Sequence, residues 1–123
     1  LNSFGKSILV DKEEIINLST ALSGSGPGFF YRILESFIIA GEKSGLDRNI
    51  SKKLAIETFI GSAELLNSSS STPEELRIAV TSPGGTTEAG LNYLEKININ
   101  DIISQTIAEA VNRGNELSEE SNN

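Results

Sequence analysis

The 123-residue chain contains no cysteine and no histidine. Their joint absence removes disulfides, thiolate nucleophiles, imidazole bases and the usual zinc ligands, so any chemistry here must use hydroxyls, backbone amides or carboxylates. A chain without cysteine suits any redox compartment, and the cytoplasm is the default expectation. Long apolar runs are missing too. The greasiest stretch, residues 29–40, is broken by Arg32 and Glu35 and is far shorter than the roughly 20 apolar residues of a membrane span. Basic residues are few: 10 Lys and Arg stand against 17 Asp and Glu, a net charge of -7 that repels a polyphosphate backbone and argues against nucleic acid as a partner. No basic, apolar, small-residue progression of a signal peptide follows Leu1, and the chain reads as an internal fragment.

What is present fits one globular domain. Hydrophobic residues are 37% and charged residues 22%, enough for a packed core that a partner completes. The apolar pattern is helical. Glu13 and Glu14 suit the positive end of a helix reaching about Ser19, and a Gly- and Ser-rich break over residues 20–28 follows, in which Ser25 is placed to cap a helix with Pro27 in its first turn. That helix carries Phe30, Ile33, Leu34, Phe37 and Ile38 at helical spacing, with Phe29, Ile39 and Ala40 widening the stripe. So apolar a helix is expected both at the centre of the bundle and against a second subunit. Gly45 is its C-terminal cap and Asp47 the N-cap of the next helix, in which Gly61, Ser62 and Ala63 allow another helix to come close. Thr72-Pro73-Glu74-Glu75 is a capping box with proline at the first helical position. A helix with Ala89, Leu91, Tyr93 and Leu94 follows, then a final one after Asn98 with Ile103, Ile107, Ala110, Val111, Gly114 and Leu117 in a stripe. Residues 118–123 are polar enough to fray. No strand pattern competes after residue 12, and no fixed-period repeat appears.

Two glycine-rich segments are candidates for chemistry. In Ser82-Pro83-Gly84-Gly85-Thr86-Thr87 a turn leads into a helix, Ser82 or Thr81 can cap, and the N–H groups of Gly84, Gly85 and Thr86 lack intrahelical acceptors. Free donors at the positive end of a helix dipole bind anions, so a carboxylate or phosphate is the natural guest, although the same residues also read as an ordinary turn and cap. Ser23-Gly24-Ser25-Gly26-Pro27-Gly28 superficially matches a dinucleotide fingerprint, but Phe29 stands at the third glycine position and Pro27 removes an amide. Capping and close packing explain it better. Glu13, Glu14, Glu74 and Glu75 sit where helix starts want acids, and none is a persuasive general base.

Taken together, Ala21-Leu22-Ser23-Gly24-Ser25-Gly26-Pro27 and Thr81-Ser82-Pro83-Gly84-Gly85-Thr86-Thr87, in this order and at this distance, resemble the signature segments of pyrroline-5-carboxylate reductases. Gly41, Gly45-Leu46, Glu75-Leu76, Ala89-Gly90-Leu91, Arg113 and Glu116-Leu117 extend the likeness from Phe4-Gly5 to Leu117. Two departures stand out: Gly28 where the family usually has alanine, and Ile97-Asn98 in place of a common Gly-Gly pair. The resemblance implies an all-α helical bundle, an intertwined dimerisation domain of the 6-phosphogluconate dehydrogenase C-terminal-like type, and hence a homodimer that a ring of dimers could extend. It divides the chain into a linker remnant from a missing Rossmann domain at 1–12, the dimerisation and substrate-binding domain at 13–118 and a disordered tail at 119–123. It also implies that NADPH or NADH binds the missing N-terminal domain, with no cofactor in this fragment. Hydride then passes to the C=N bond of 1-pyrroline-5-carboxylate, giving proline in the last step of proline biosynthesis. Ser82 and the amides of Gly84, Gly85 and Thr86 would hold the substrate carboxylate, and the Thr87 hydroxyl would face the ring nitrogen as the catalytic group. Such a reaction depends on orientation and needs no nucleophile, so the missing His and Cys are no objection. The alternative is a non-catalytic helical dimerisation module, which ligand binding at residues 82–87 would distinguish. A free-standing anion-binding domain is weaker, because one helix end has no second wall.

Overall fold

A computed structural model of the chain describes residues 12–122. All regular structure among the described residues is helical: α1 Lys12–Ser19, a single π-helical turn Thr20–Gly24, α2 Gly26–Lys43, α3 Arg48–Ser68, α4 Pro73–Ala79, α5 Thr86–Lys96 and α6 Ile99–Asn122. The all-α expectation holds. The linker assigned to 1–12 lies outside the described residues, save Lys12, which opens α1.

The chain forms two compact units. Among the described residues, one joins 12–30 with 99–122. Here the expected break at residues 20–28 is instead a continuous helical path. Ser25 has helical dihedrals (φ -87, ψ -23), its N–H donates to the Thr20 carbonyl at 2.9 Å, and its own carbonyl accepts from Gly28 and Phe29 at 3.0 and 3.3 Å. An N-cap needs extended backbone, so Ser25 does not act as one. From the π-helical turn the Ser23 hydroxyl donates back to the Ser19 carbonyl at 2.7 Å. This turn packs on α1 and α6, where Ala21 is the one buried hydrophobic residue among those described. Asn17 Nδ2 donates to Asn115 Oδ1 at 2.6 Å, linking α1 to α6 beside Gly114. Helix α6 runs on through Asn122, carrying as helix the segment expected to fray from residue 118. Arg113 reaches both Glu116 at 3.5 Å and Glu120 at 3.6 Å along it.

The other unit is Tyr31–Asn98. Helix α2 ends as expected at Gly45 (φ +117): Leu46 N–H bonds the Gly41 carbonyl and Gly45 N–H the Glu42 carbonyl, both at 3.1 Å, the pairing of a Schellman motif. Asp47 then caps α3, its carboxylate accepting from Asn49 N–H at 3.0 Å. Within the described residues nothing lies within 4 Å of a Cβ placed on Gly61, while Ser62 borders the groove against α2. A close helix approach is found at Gly41, where such a Cβ would fall 2.1 Å from Ser51 Oγ. Ser51, 3% exposed, donates to the Ile38 carbonyl at 2.8 Å and so pins α3 against α2.

Beyond that crossing, α2 and α3 border a groove of about 240 Å³ lined by Ile33, Leu34, Phe37, Ala55, Thr58 and Phe59. Helix α2 is therefore not the buried centre of its own bundle: Phe37 remains 63% and Tyr31 64% exposed. Among the described residues too few side chains face its apolar stripe to cover it. Helix α4 begins in the expected capping box, with Thr72 N–H donating to Glu75 Oε1 at 2.9 Å and Glu75 N–H to Thr72 Oγ1 at 3.1 Å. The Thr72 N–H foremost, and then the Thr72 side chain, hold the Glu75 carboxyl below its ordinary value of 4.5. Asn98 sits at φ +61, a left-handed conformation that asparagine tolerates better than most residues.

Candidate functional site

The segment joining α4 to α5 is built by local chemistry. Val80 ends α4, Thr81 N–H bonds the Ile78 carbonyl at 3.1 Å, and the Thr81 hydroxyl donates back to the Arg77 carbonyl. Ser82-Pro83-Gly84-Gly85 then closes a turn, Gly85 N–H donating to the Ser82 carbonyl at 3.0 Å. Pro83 supplies the second position, and Gly84 at φ +74 supplies the left-handed third position that a type II turn requires. Gly85 is packed hard on the turn, because a Cβ there would meet Ser82 Oγ at 3.0 Å and Ser82 O at 3.1 Å.

Gly85, extended at φ -87 and ψ 179, is the N-cap of α5, and no side chain caps that helix end. The expectation that Ser82 or Thr81 caps it is corrected. The type II turn occupies residues 82–85, which puts both hydroxyls before the cap position, and Thr81 faces back to α4. The N–H groups of Thr86, Thr87 and Glu88 open α5 without intrahelical acceptors, at the positive end of its dipole.

The structure brings Ser82, Gly84, Gly85, Thr86 and Thr87 into one continuous turn and helix start, with Ser82, Gly84, Thr86 and Thr87 exposed. Two of the three amides nominated from sequence already have acceptors: Gly85 N–H has the Ser82 carbonyl, and Gly84 N–H has Glu88 Oε1 at 3.1 Å. Glu88 escaped the sequence reading. Its signal was nevertheless there, because a glutamate three residues past an N-cap reaches back to the amides before the helix, as Glu75 does for Thr72. Glu88 is half-buried and shares with Arg77, Thr81 and Asn92 a cleft of about 510 Å³ between α4 and α5.

This arrangement of hydroxyls and amides at a helix start suits a small anion, and it lies inside the stretch matched by a known family. Residues 13–117 match the family described as pyrroline-5-carboxylate reductase dimerisation. The chain belongs to this family. Among its relatives, pyrroline-5-carboxylate reductase 2 of Bacillus subtilis is 39% identical over 98% of this chain, and the Pseudomonas aeruginosa reductase 38% identical over 98%. The chain spans under half the length of these relatives, 43% and 44%. Solved structures agree in fold. The Coxiella burnetii pyrroline-5-carboxylate reductase matches with a TM-score of 0.81 at 36% identity, covering 85% of this chain and 38% of that one. The Plasmodium falciparum enzyme, solved with NADP bound, matches at 0.79 and 36% identity over 82% of this chain and 38% of that one. Membership of a dimerisation family fits the exposed apolar residues of α2 and α3.

Proposed function

We propose that the chain dimerises a pyrroline-5-carboxylate reductase and holds its substrate. The reaction is the reduction of the C=N bond of 1-pyrroline-5-carboxylate by NADPH or NADH to give proline. The observation that carries the reading is the turn at residues 82–87, where exposed hydroxyls stand beside unpaired amides at the positive end of α5. There the substrate carboxylate is held by the Ser82 hydroxyl and the Thr86 amide, joined by the Gly84 amide when Glu88 releases it, while the Gly85 amide keeps the turn closed on the Ser82 carbonyl. Charge-assisted bonds of this kind are about twice as strong as neutral ones. The Thr87 hydroxyl, exposed in the first turn of α5, bonds the ring nitrogen and orients the imine for reduction.

A dinucleotide does not fit the described residues. Its pyrophosphate needs a strand, a glycine turn and free amides at a helix start, whereas the nearest candidate, residues 23–28, lies in a continuous helical path with Ser25, Gly28 and Phe29 N–H groups bonded to carbonyls. The nicotinamide cofactor belongs, in this reading, to the part of the parent enzyme that precedes this chain. No described helix is long and apolar enough to cross a membrane, and the reading places the enzyme in the cytoplasm with its dissolved substrate. Two copies associate through the uncovered α2 and α3 faces, and a ring of dimers is the larger assembly the family resemblance implies.

The test is Thr87→Ala in the full-length enzyme. Loss of a hydrogen bond to a charged iminium or amine lowers kcat/KM by roughly ten- to a hundredfold with cofactor affinity retained. A wild-type kcat/KM in a variant with intact circular dichroism leaves the turn a helix start only, and favours the dimerisation module without chemistry.

A further inference from the structure

We propose that Glu88 is an internal competitor for the substrate carboxylate. It holds the Gly84 amide in the empty turn, releases it when a carboxylate ligand binds, and reclaims it as the ligand leaves. The inference rests on the reading of residues 82–87 as the substrate site, and three observations carry it.

The first is the bond itself. Glu88 Oε1 accepts from Gly84 N–H at 3.1 Å, and Glu88 is half-buried while Ser82, Gly84, Thr86 and Thr87 around it are exposed. Its carboxylate therefore lies against the turn.

The second is the scarcity of amides in the glycine pair. Gly85 N–H is engaged by the Ser82 carbonyl in the bond that closes the turn, so Gly84 N–H is the amide of the pair that a ligand can take without opening the turn. It must take it from Glu88. One carboxylate then replaces another at the positive end of α5, and the charge held there stays the same.

The third is a destination for the displaced side chain. Glu88 lines the same cleft as Arg77, and no carboxylate among the described residues lies within ion-pair distance of Arg77. A Glu88 that leaves Gly84 turns into this cleft toward a guanidinium. An empty turn thus keeps its left-handed Gly84 amide satisfied, and a departing carboxylate product meets a rival for its donor.

The experiment uses the full-length enzyme with 1-pyrroline-5-carboxylate and with 1-pyrroline, which is the same ring without the carboxylate. Glu88→Gln keeps an oxygen for the Gly84 amide and removes the charge, and Glu88→Ala removes both. In each variant the ratio of kcat/KM for 1-pyrroline-5-carboxylate to that for 1-pyrroline rises about three- to tenfold, and proline inhibits at correspondingly lower concentration. A ratio that stays the same or falls in Glu88→Gln overturns the proposal, because Glu88 is then a cap that only shapes the turn. Glu88→Gln decides the matter even if Glu88→Ala folds poorly. Thr87→Ala run alongside separates the two levels of inference. If it lowers kcat/KM while Glu88→Gln raises no ratio, the site stands and the competitor falls. If it changes nothing, the site reading itself falls.

Discussion

At Gly41 the space for a side chain is already taken. A Cβ there would lie 2.1 Å from Ser51 Oγ and 3.1 Å from Ser51 Cβ, and rotating the hydroxyl away breaks its bond to the Ile38 carbonyl without moving the Cβ. Gly41→Ala is expected to destabilise the domain by about 1 to 3 kcal/mol, the usual range for overpacking, read as a lower urea midpoint with an unchanged slope. At the candidate site, Thr86→Ala is expected to lower kcat/KM less than Thr87→Ala does, because alanine keeps the Thr86 amide. Equal losses from both would show that side chains and not amides hold the substrate at residue 86. Residue roles set within four positions were legible in the sequence: Asp47 with Asn49, and Thr72 with Glu75, find their partners along one turn of chain. Glu88 was equally local but hidden by the glycine at its N-cap, which lacks the hydroxyl that marks a capping box.

Helix α4, seven residues long, depends on its ends more than its faces. Few residues mean few internal bonds, and the capping box satisfies two backbone and side-chain donor–acceptor pairs at once. Thr72→Ala should cost about 1 kcal/mol by thermal or urea unfolding. The Glu75 carboxyl is held below 4.5 by the Thr72 bonds, so its ionised form is favoured by folding. That contribution is full above about pH 4.5 and fades as pH falls through the lower folded value. Stability of the wild type should therefore fall more steeply below pH 4.5 than that of Glu75→Gln, whose amide keeps the bond without titrating. Parallel curves would remove Glu75 from the acid response. The element that sequence placed least well was the passage into α2. Glycine and serine there look like a break, yet the backbone continues through a π-helical turn.

For the whole molecule, the apolar faces ask for a second copy. Phe37 and Leu54 are 63% and 50% exposed, and buried side chains of this size contribute about 1.5 to 3 kcal/mol each. The chain is expected to be a dimer by light scattering at micromolar concentration, and Phe37→Glu, in the groove between α2 and α3, to shift it to monomer. A wild-type monomer that stays monodisperse would contradict the assignment of these faces to an interface. Titration of the isolated chain with NADPH should give no saturable heat, since residues 23–28 present no free amide cradle. Saturable binding at a defined stoichiometry would restore that segment as a cofactor site.

Helix number and the caps at Gly45, Asp47 and Thr72 were readable in the sequence alone because each is decided by periodicity or by partners a few residues apart, whereas the caps expected at Ser25 and at Ser82 or Thr81 were not. Family membership was readable for the same reason, through two segments whose order and spacing survive without coordinates. Three features came only with tertiary structure. The crossing of α2 and α3 falls at Gly41 and Ser51, because it depends on which two of many small residues meet across 10 positions of chain. The exposure of α2 was undecidable from its pattern, since an apolar stripe looks the same whether its own chain or another covers it. The engagement of the Gly84 amide by Glu88 requires knowing where a side chain lies, and spacing shows only that it could reach.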